Sequence, residues 1–419
     1  MSKILHTASR LLSLKRIDES KLDTTILRVS KEDVSVFALS SNAILAISTD
    51  TGAYFFRECV PLNDNATYVQ QRIDLFLRFS CNNDLTKINF RQESPIPIHF
   101  DDLTISCFCD YLSKKSKEKS FVKKMIAMHT LLDEMHYSIW SKDNVLSYEQ
   151  FERIGLTDLP ENLSDIARYF VWYMRGAARA KHDAKLVRSH SHGFYNATKS
   201  IATGIVARAL GLEHLITIGR LCHLYVDEMD LFGELCPMAE GIRAKDALPV
   251  HPTPELHRAL SDLHLLDTLC FQQDHGPNNY NLLMTNKQPF SVCAFDNDNP
   301  NTFFPIVSIA MLLAGCTPLI NTKGVFHRPA VSAETAEHIL HINTLELRKK
   351  LAPYLNFLQI EAFLIRTKTM KKIIRRSTHL LTTENEWNYD IMNRELGEVY
   401  GTTYLTKLIL SNNAMSQKE

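Results

Sequence analysis

Two short stretches of this 419-residue chain gather oxygen donors at a spacing that suits a divalent cation and a phosphate. Residues 271–283 read FQQDHGPNNYNLL and set Asp274, His275, Asn278, Asn279 and Asn281 between apolar segments. Residues 294–305 read AFDNDNPNTFFP and add Asp296 and Asp298. Mg²⁺ takes carboxylate and amide oxygens, keeps some waters, and completes its shell with substrate phosphates. A carboxylate not spent on the metal is free to orient or deprotonate an acceptor hydroxyl. Those are the parts that phosphoryl transfer needs.

Such side chains converge only if the elements around them bring the two stretches together. Between them lies LLM-TNKQP-FSVCAF, two apolar runs about a turn-rich linker, which predicts a β-hairpin. Asp274 and Asn279 would then sit at one end of it and Asp296 at the other, and the two ends of a hairpin are neighbours in space. Upstream, PELHRALSDLHLLDTLCF (254–271) predicts a helix with Leu260, Leu263, Leu266 and Leu269 on one side. NATKSIATGIVARALGLEHLI (196–216) predicts another, with Asn196 as a possible N-cap and Gly211 as its stop. RLCHLYV and ELCPMAEG read as strands, as do several pieces of VSVFALSSNAILAISTDTGAYFF (34–56). ARYFVWYMRGAARAKHDAKLVRS (167–189) reads as two strands about a small-residue turn, and the chain after 302 as mostly helical. The expected fold class is α+β, with a soft boundary near TDLPENLSD (157–165).

The loop QQDHGPNNY resembles the catalytic loop of the atypical protein-kinase-like enzymes, a group of phosphoinositide kinases, actin-fragmin kinase and related bacterial proteins. Their loop reads D-R-H-x-x-N or D-R-G-x-x-N, and Asp274 and Asn279 keep that interval. AFDNDNPNTFFP resembles the group's metal-binding strand end, often written I-D-N-x-x-x-F-P. LLDTLCFQQD is similar to the helix that leads into the loop. The resemblance spans roughly 165 to 310 and is sharpest over 264 to 305. It implies a two-lobed kinase-like fold, with 1–160 an accessory α/β region, 161–250 a β-rich N-lobe and 251–419 a helical C-lobe. It also implies ATP and Mg²⁺ or Mn²⁺ as cofactors, Asp274 as catalytic base, and Asn279 and Asp296 as metal ligands. The acceptor would be a hydroxyl on a protein or a phosphoinositide. The alternatives are a pseudokinase or interaction scaffold, a kinase fold that transfers a nucleotidyl group, and a small-molecule phosphotransferase. Three features depart from the pattern. His275-Gly276 stands where the group has Arg-His, no G-x-G phosphate loop appears in 167–193, and helix 196–210 carries no acid.

The phosphate-binding lysine is expected at Lys185, in DAKLVRS, or at Lys199, in the first turn of the following helix. RTKTMKKIIRRS (366–377) carries Arg366, Lys368, Lys371, Lys372, Arg375 and Arg376 among apolar residues. It is either the solvated face of a helix or a docking surface for anionic lipid or inositol phosphate. No aromatic residue is interleaved there to stack on bases, so nucleic acid is not expected. SKKSKEKSFVKKM (113–125) reads as the basic head of one helix running to about Trp140.

Lys plus Arg equals Asp plus Glu at 47 each, so bulk charge selects no partner. Nine scattered cysteines, Cys107 and Cys109 among them, suit free thiols in a reducing compartment better than a disulfide framework or a zinc site. The expected location is the cytoplasm, or a host cytosol for a secreted effector. No apolar run is long enough to predict a membrane span. The acid-free N-terminus MSKILHTASRLLSLKR reads either as an amphipathic helix or as an organelle-type or bacterial secretion signal.

Overall fold

The computed structural model describes residues 22–39, 43–59, 65–80, 100–134, 156, 158–171, 173–174, 195–227, 229–247, 253–272, 275, 278–297, 302–303 and 331–376. The chain divides into two compact units. One takes residues 24–195 and 221–235, the other residues 1–23, 196–220 and 236–419. Its mixed helix and sheet agree with the α+β expectation. No described helix is long and apolar enough to cross a membrane.

The first unit is built on a six-stranded sheet of order β1-β5-β6-β4-β3-β2. Its strands are β1 (Thr24–Val29), β2 (Val34–Leu39), β3 (Ala43–Thr49), β4 (Gly52–Glu58), β5 (Arg220–Val226) and β6 (Met229–Pro237). β1 runs parallel to β5, whereas β2, β3 and β4 form an antiparallel meander. Strands from both sides of the expected boundary near residue 160 therefore share one sheet. Alternation sets the buried face: Leu45 and Ile47 in β3 and Phe56 in β4 point inward. Gly233 permits the close approach of β6 to β4, because a Cβ there would lie 2.2 Å from the Arg57 carbonyl oxygen.

Helices α1 (Asn65–Ser80), α2 (Asp102–Lys115) and α3 (Lys119–Glu134) belong to this unit. The basic run 113–125 thus spans a break between two helices rather than heading one. Residues 164–171 and 173–174 are helical too, which corrects the two-strand reading at its start; 175–189 lies outside the described residues. A segment as apolar as ARYFVWYM, buried nearly all round, has no polar face to betray its period, so strand and helix look alike in sequence. Edge-on rings knit the core, with Phe76 4.9 Å from Phe170 and 6.0 Å from Phe108. Inside it Arg72 and Glu58 form a fully buried ion pair at 2.6 Å, and Tyr173 donates its hydroxyl to the Arg72 carbonyl at 3.1 Å. Burial pushes the Tyr173 phenol up to about 12.

The second unit holds α4 (Tyr195–Leu210), α5 (Pro254–Cys270), α6 (Ala333–His341), α7 (Thr344–Leu351), α8 (Phe357–Arg376) and a small sheet of order β7-β8-β9. Its strands are β7 (Ile242–Arg243), β8 (Tyr280–Thr285) and β9 (Gln288–Ala294). α4 ends at Gly211, as expected; φ there is +72°, and a Cβ would strike the His338 ring at 2.6 Å. α5 begins at Thr253, whose hydroxyl accepts the Leu256 N–H, with Pro254 in the first turn. Leu260, Leu263, Leu266 and Leu269 are all fully buried, alongside Val206 and Leu210 of α4 and Phe363 of α8.

α4 runs antiparallel to α5. Leu210 and Gly211 share a surface cleft with Arg258 and Ala259, while the Thr203 hydroxyl meets the Cys270 thiol. α8 closes over the same end of α5. Arg366 is fully buried, donates Nε–H to the Leu269 carbonyl at 2.7 Å and lies over the Phe271 ring. Lys371 donates Nζ–H to the Ile342 carbonyl. Arg366 is therefore no part of a surface cation patch: its stem fills the core and its head satisfies a helix-end carbonyl. Lys368, Lys372, Arg375 and Arg376 remain exposed.

Candidate functional site

The hairpin forms where the sequence places it. β8 and β9 pair from Tyr280↔Ala294 to Thr285↔Gln288, and the chain reverses at Asn286 and Lys287 with φ of +52° and +65°. Two left-handed residues in a two-residue loop match the right-handed twist of the flanking strands. At the open end the Asn279 carbonyl accepts the Phe295 N–H at 2.9 Å, adding one rung beyond Tyr280↔Ala294. Asn279 and Asp296 thus stand one residue apart across the hairpin, and both are half-buried.

Regular alternation would send Asp296 to the face of Tyr280 and Ala294, which is fully buried. It does not continue, because Asp296 has φ of +63°. A left-handed aspartate breaks the pleat, and Asp296 is half-buried where Tyr280 and Ala294 are fully enclosed. Phe271 and Phe303, at φ of +59° each, make similar turns nearby. Phe271 is the left-handed cap that stops α5 and starts the polar loop. Left-handed backbone at bulky residues persists only where surroundings over-determine it. Here they do: Phe303 N–H bonds the Cys270 carbonyl at 2.6 Å, Thr302 donates to Gln272 Oε1, and Gln272 Nε2 donates to the Asp296 carbonyl at 3.2 Å.

His275 lies beneath this surface, fully buried, and donates Nδ1–H to Asp267 Oδ1 of α5 at 2.8 Å. Burial alone pulls an imidazole toward neutrality. The Asp267 charge and hydrogen bond, helped by Asp296 and Asn297, outweigh it and hold His275 above the ordinary histidine range. Asn297 is buried behind Asp296 and donates Nδ2–H to the Thr217 carbonyl at 3.0 Å. Thr217 N–H in turn bonds the Ala294 carbonyl, while Ile216 bridges Ala294 in parallel.

Asn279 and Asp296 are thus brought to one end of the hairpin. Asp274 and Lys185 lie outside the described residues. Lys199 is almost wholly buried at 1% exposure, one turn before Thr203. Since Thr203 meets Cys270 at the end of α5, four residues at about 1.5 Å rise carry Lys199 about 6 Å past it along α4, toward the level where the polar loop starts. Asn278 is exposed, and Asn281 donates Nδ2–H to the Ala239 carbonyl.

Oxygen donors from Asn279 and Asp296 fit a hard cation that takes its other ligands from water or phosphate. No group of three His, Cys, Asp or Glu among the described residues could hold a metal by itself. Cys107 is exposed and Cys109 buried, both as free thiols. Clefts of about 450 and 370 Å³ open beside the C-terminal half of α4, the larger against α6 and α7 and the smaller against the start of α5, and none of the expected site residues lines them.

Sequence reasoning found the hairpin and its oxygen donors but missed the supports, Asp267, Gln272, Asn297 and Thr302. Asp267 carried a signal: an acid inside a leucine-rich helix needs a buried partner, and His275 stands eight residues on. No protein-family model matches this chain, and no curated protein matches it significantly.

Proposed function

We propose that the chain is an ATP- and Mg²⁺-dependent phosphotransferase on a two-lobed kinase-like fold, transferring a phosphoryl group to a hydroxyl on a protein or a phosphoinositide lipid. The observation that carries the reading is the last rung of the hairpin, Asn279 to Phe295, which sets Asn279 beside the left-handed turn at Asp296. In this reading Asn279 Oδ1 and the Asp296 carboxylate hold Mg²⁺ or Mn²⁺. A bound cation supplies charge neutralisation at the phosphates. Asp274, which precedes the buried His275, orients the acceptor hydroxyl. Lys185 or Lys199 is the phosphate contact, and α4 carries Lys199 toward the polar loop. The exposed Lys368, Lys372, Arg375 and Arg376 give the acceptor side an anionic-lipid or inositol-phosphate docking face. The site of action is a cytosol, the cell's own or a host's.

A second reading is a non-catalytic scaffold on the same fold, favoured by α4, whose residues 195–210 include no Asp or Glu to pair with a phosphate-binding lysine. One experiment separates them. Wild type and Asp296→Ala are incubated with ATP labelled at the γ or the α phosphate, Mg²⁺ or Mn²⁺, cell extract and phosphoinositide vesicles. Transfer of γ label by wild type, lost in Asp296→Ala, is expected. Transfer of α label instead means nucleotidyl transfer, and no transfer means the scaffold, which the absence of a thermal shift with ATP plus Mg²⁺ favours further.

A further inference from the structure

We propose that His275 is a positioning residue that fixes the geometry of the Asp296 metal site, an inference that rests on the phosphotransfer reading above. The amide of Asn297 is oriented by its Nδ2–H bond to the Thr217 carbonyl, because turning it over would set oxygen against oxygen. Its Oδ1 can therefore only accept. Asp267 takes the Nδ1–H of His275 on the other side of the ring. The atoms left over, His275 Nε2 and Asn297 Oδ1, are both buried, neither has a hydrogen-bond partner, and the Asn297 side chain is near enough to act on His275. A small approach that joins this complementary donor and acceptor makes His275 the middle link between Asp267 on α5 and Asn297 on the turn after β9.

The placement gives that link its consequence. His275 follows Asp274 in the chain, and Asn297 follows Asp296. A buried tie between the two followers constrains the backbone turn at Asp296. Gln272 adds a second tie to the Asp296 carbonyl, so the left-handed turn is gripped from the loop at two points. Loosening the grip lets Asp296 relax toward a regular strand conformation and its carboxylate swing away from Asn279. Partners behind a metal ligand typically change metal affinity by about 10–100-fold when removed.

The test follows the Mg²⁺ dependence of the ATP-induced thermal shift in the full-length chain. His275→Gln, Asp267→Asn and Asn297→Ala are each expected to raise the half-saturating Mg²⁺ about 10–100-fold. Label transfer should fall at limiting Mg²⁺ and recover at saturating Mg²⁺, which a merely structural role would not produce. His275→Gln combined with Asn297→Ala should cost little more than either alone. Without nucleotide or metal, wild type should show a slowly exchanging imidazole N–H resonance that Asp267→Asn lacks. If His275→Gln does not fold, Asn297→Ala, which spares the Asp267–His275 pair, decides. Folded variants that titrate Mg²⁺ like wild type overturn the brace alone, as does absence of the resonance from wild type. A wild type with no Mg²⁺- and ATP-dependent shift overturns the phosphotransfer reading and the brace with it.

Discussion

Arg366, near the middle of the last described helix, passes its Nε–H to the carbonyl of Leu269 at 2.7 Å, almost a hundred residues earlier in the chain. Leu269 lies in the last turn of α5, where carbonyls lose their intrahelical partners. The guanidinium answers that need and meets the negative end of the helix dipole. The cost is desolvation, which lowers the Arg366 pKa to about 10. Arg366→Met should destabilise the protein by roughly 2–4 kcal/mol, because it strands a buried carbonyl and repacks a filled site. Urea denaturation checks it; a change under ~0.5 kcal/mol would show the bond to be incidental.

The ion pair of Glu58 and Arg72 makes a second, independent claim about stability. Its side chains are 2% and 0% exposed. Removing one partner leaves a charge in the core, so Glu58→Gln or Arg72→Met should each cost roughly 3–5 kcal/mol. Replacing both with apolar residues of similar volume should recover most of the loss. If the double replacement is as unstable as the sum of the singles, the hydrogen bonds around the pair matter more than the charges.

Two histidines of the second unit should tilt the stability profile in opposite directions. His275 has a folded pKa above the ordinary value near 6.5. Its contribution is fully present below about 6.5 and lost as pH rises through the folded value. His257 is pushed down to about 4 by burial. Its contribution is present above about 6.5 and lost as pH falls toward 4. The difference in unfolding free energy between wild type and His275→Gln should therefore shrink above neutrality, and that between wild type and His257→Gln should shrink on acidification. Differences that do not change with pH would refute both assignments.

The exposed cations of α8 make a prediction about binding alone. Lys368, Lys372, Arg375 and Arg376 lie in water, so replacing all four with Gln should leave the melting temperature nearly unchanged. Binding to vesicles of anionic lipid should weaken by roughly 1 kcal/mol per charge removed and should weaken in wild type as salt rises. Vesicle binding that is indifferent to the four substitutions would leave this face as a solvated helix surface. Replacing Arg366 as well adds only the folding defect, since that residue is buried.

What local chemistry dictates was legible in the residues themselves. Alternating apolar runs about Asn286 and Lys287 specified the hairpin, because register and turn type are short-range properties. Gly211 stopped α4, and the leucines of α5 declared their buried face. The oxygen donors at Asn279 and Asp296 were visible as types and offsets. Other features are set by packing between distant segments and carry no local signature. The apolar stretches at 164–171 and 173–174 became helix, packed against aromatics of α1 and α2 rather than paired along a sheet edge. The strands of 24–58 joined those of 220–237 through long-range hydrogen bonds that no periodicity announces. Arg366 looked like one cation among six, and only the helix that covers it turned it into a core residue. The turn at Asp296 follows the same logic: a left-handed aspartate is unfavourable on its own, and the buried partners gathered from three separate segments are what hold it.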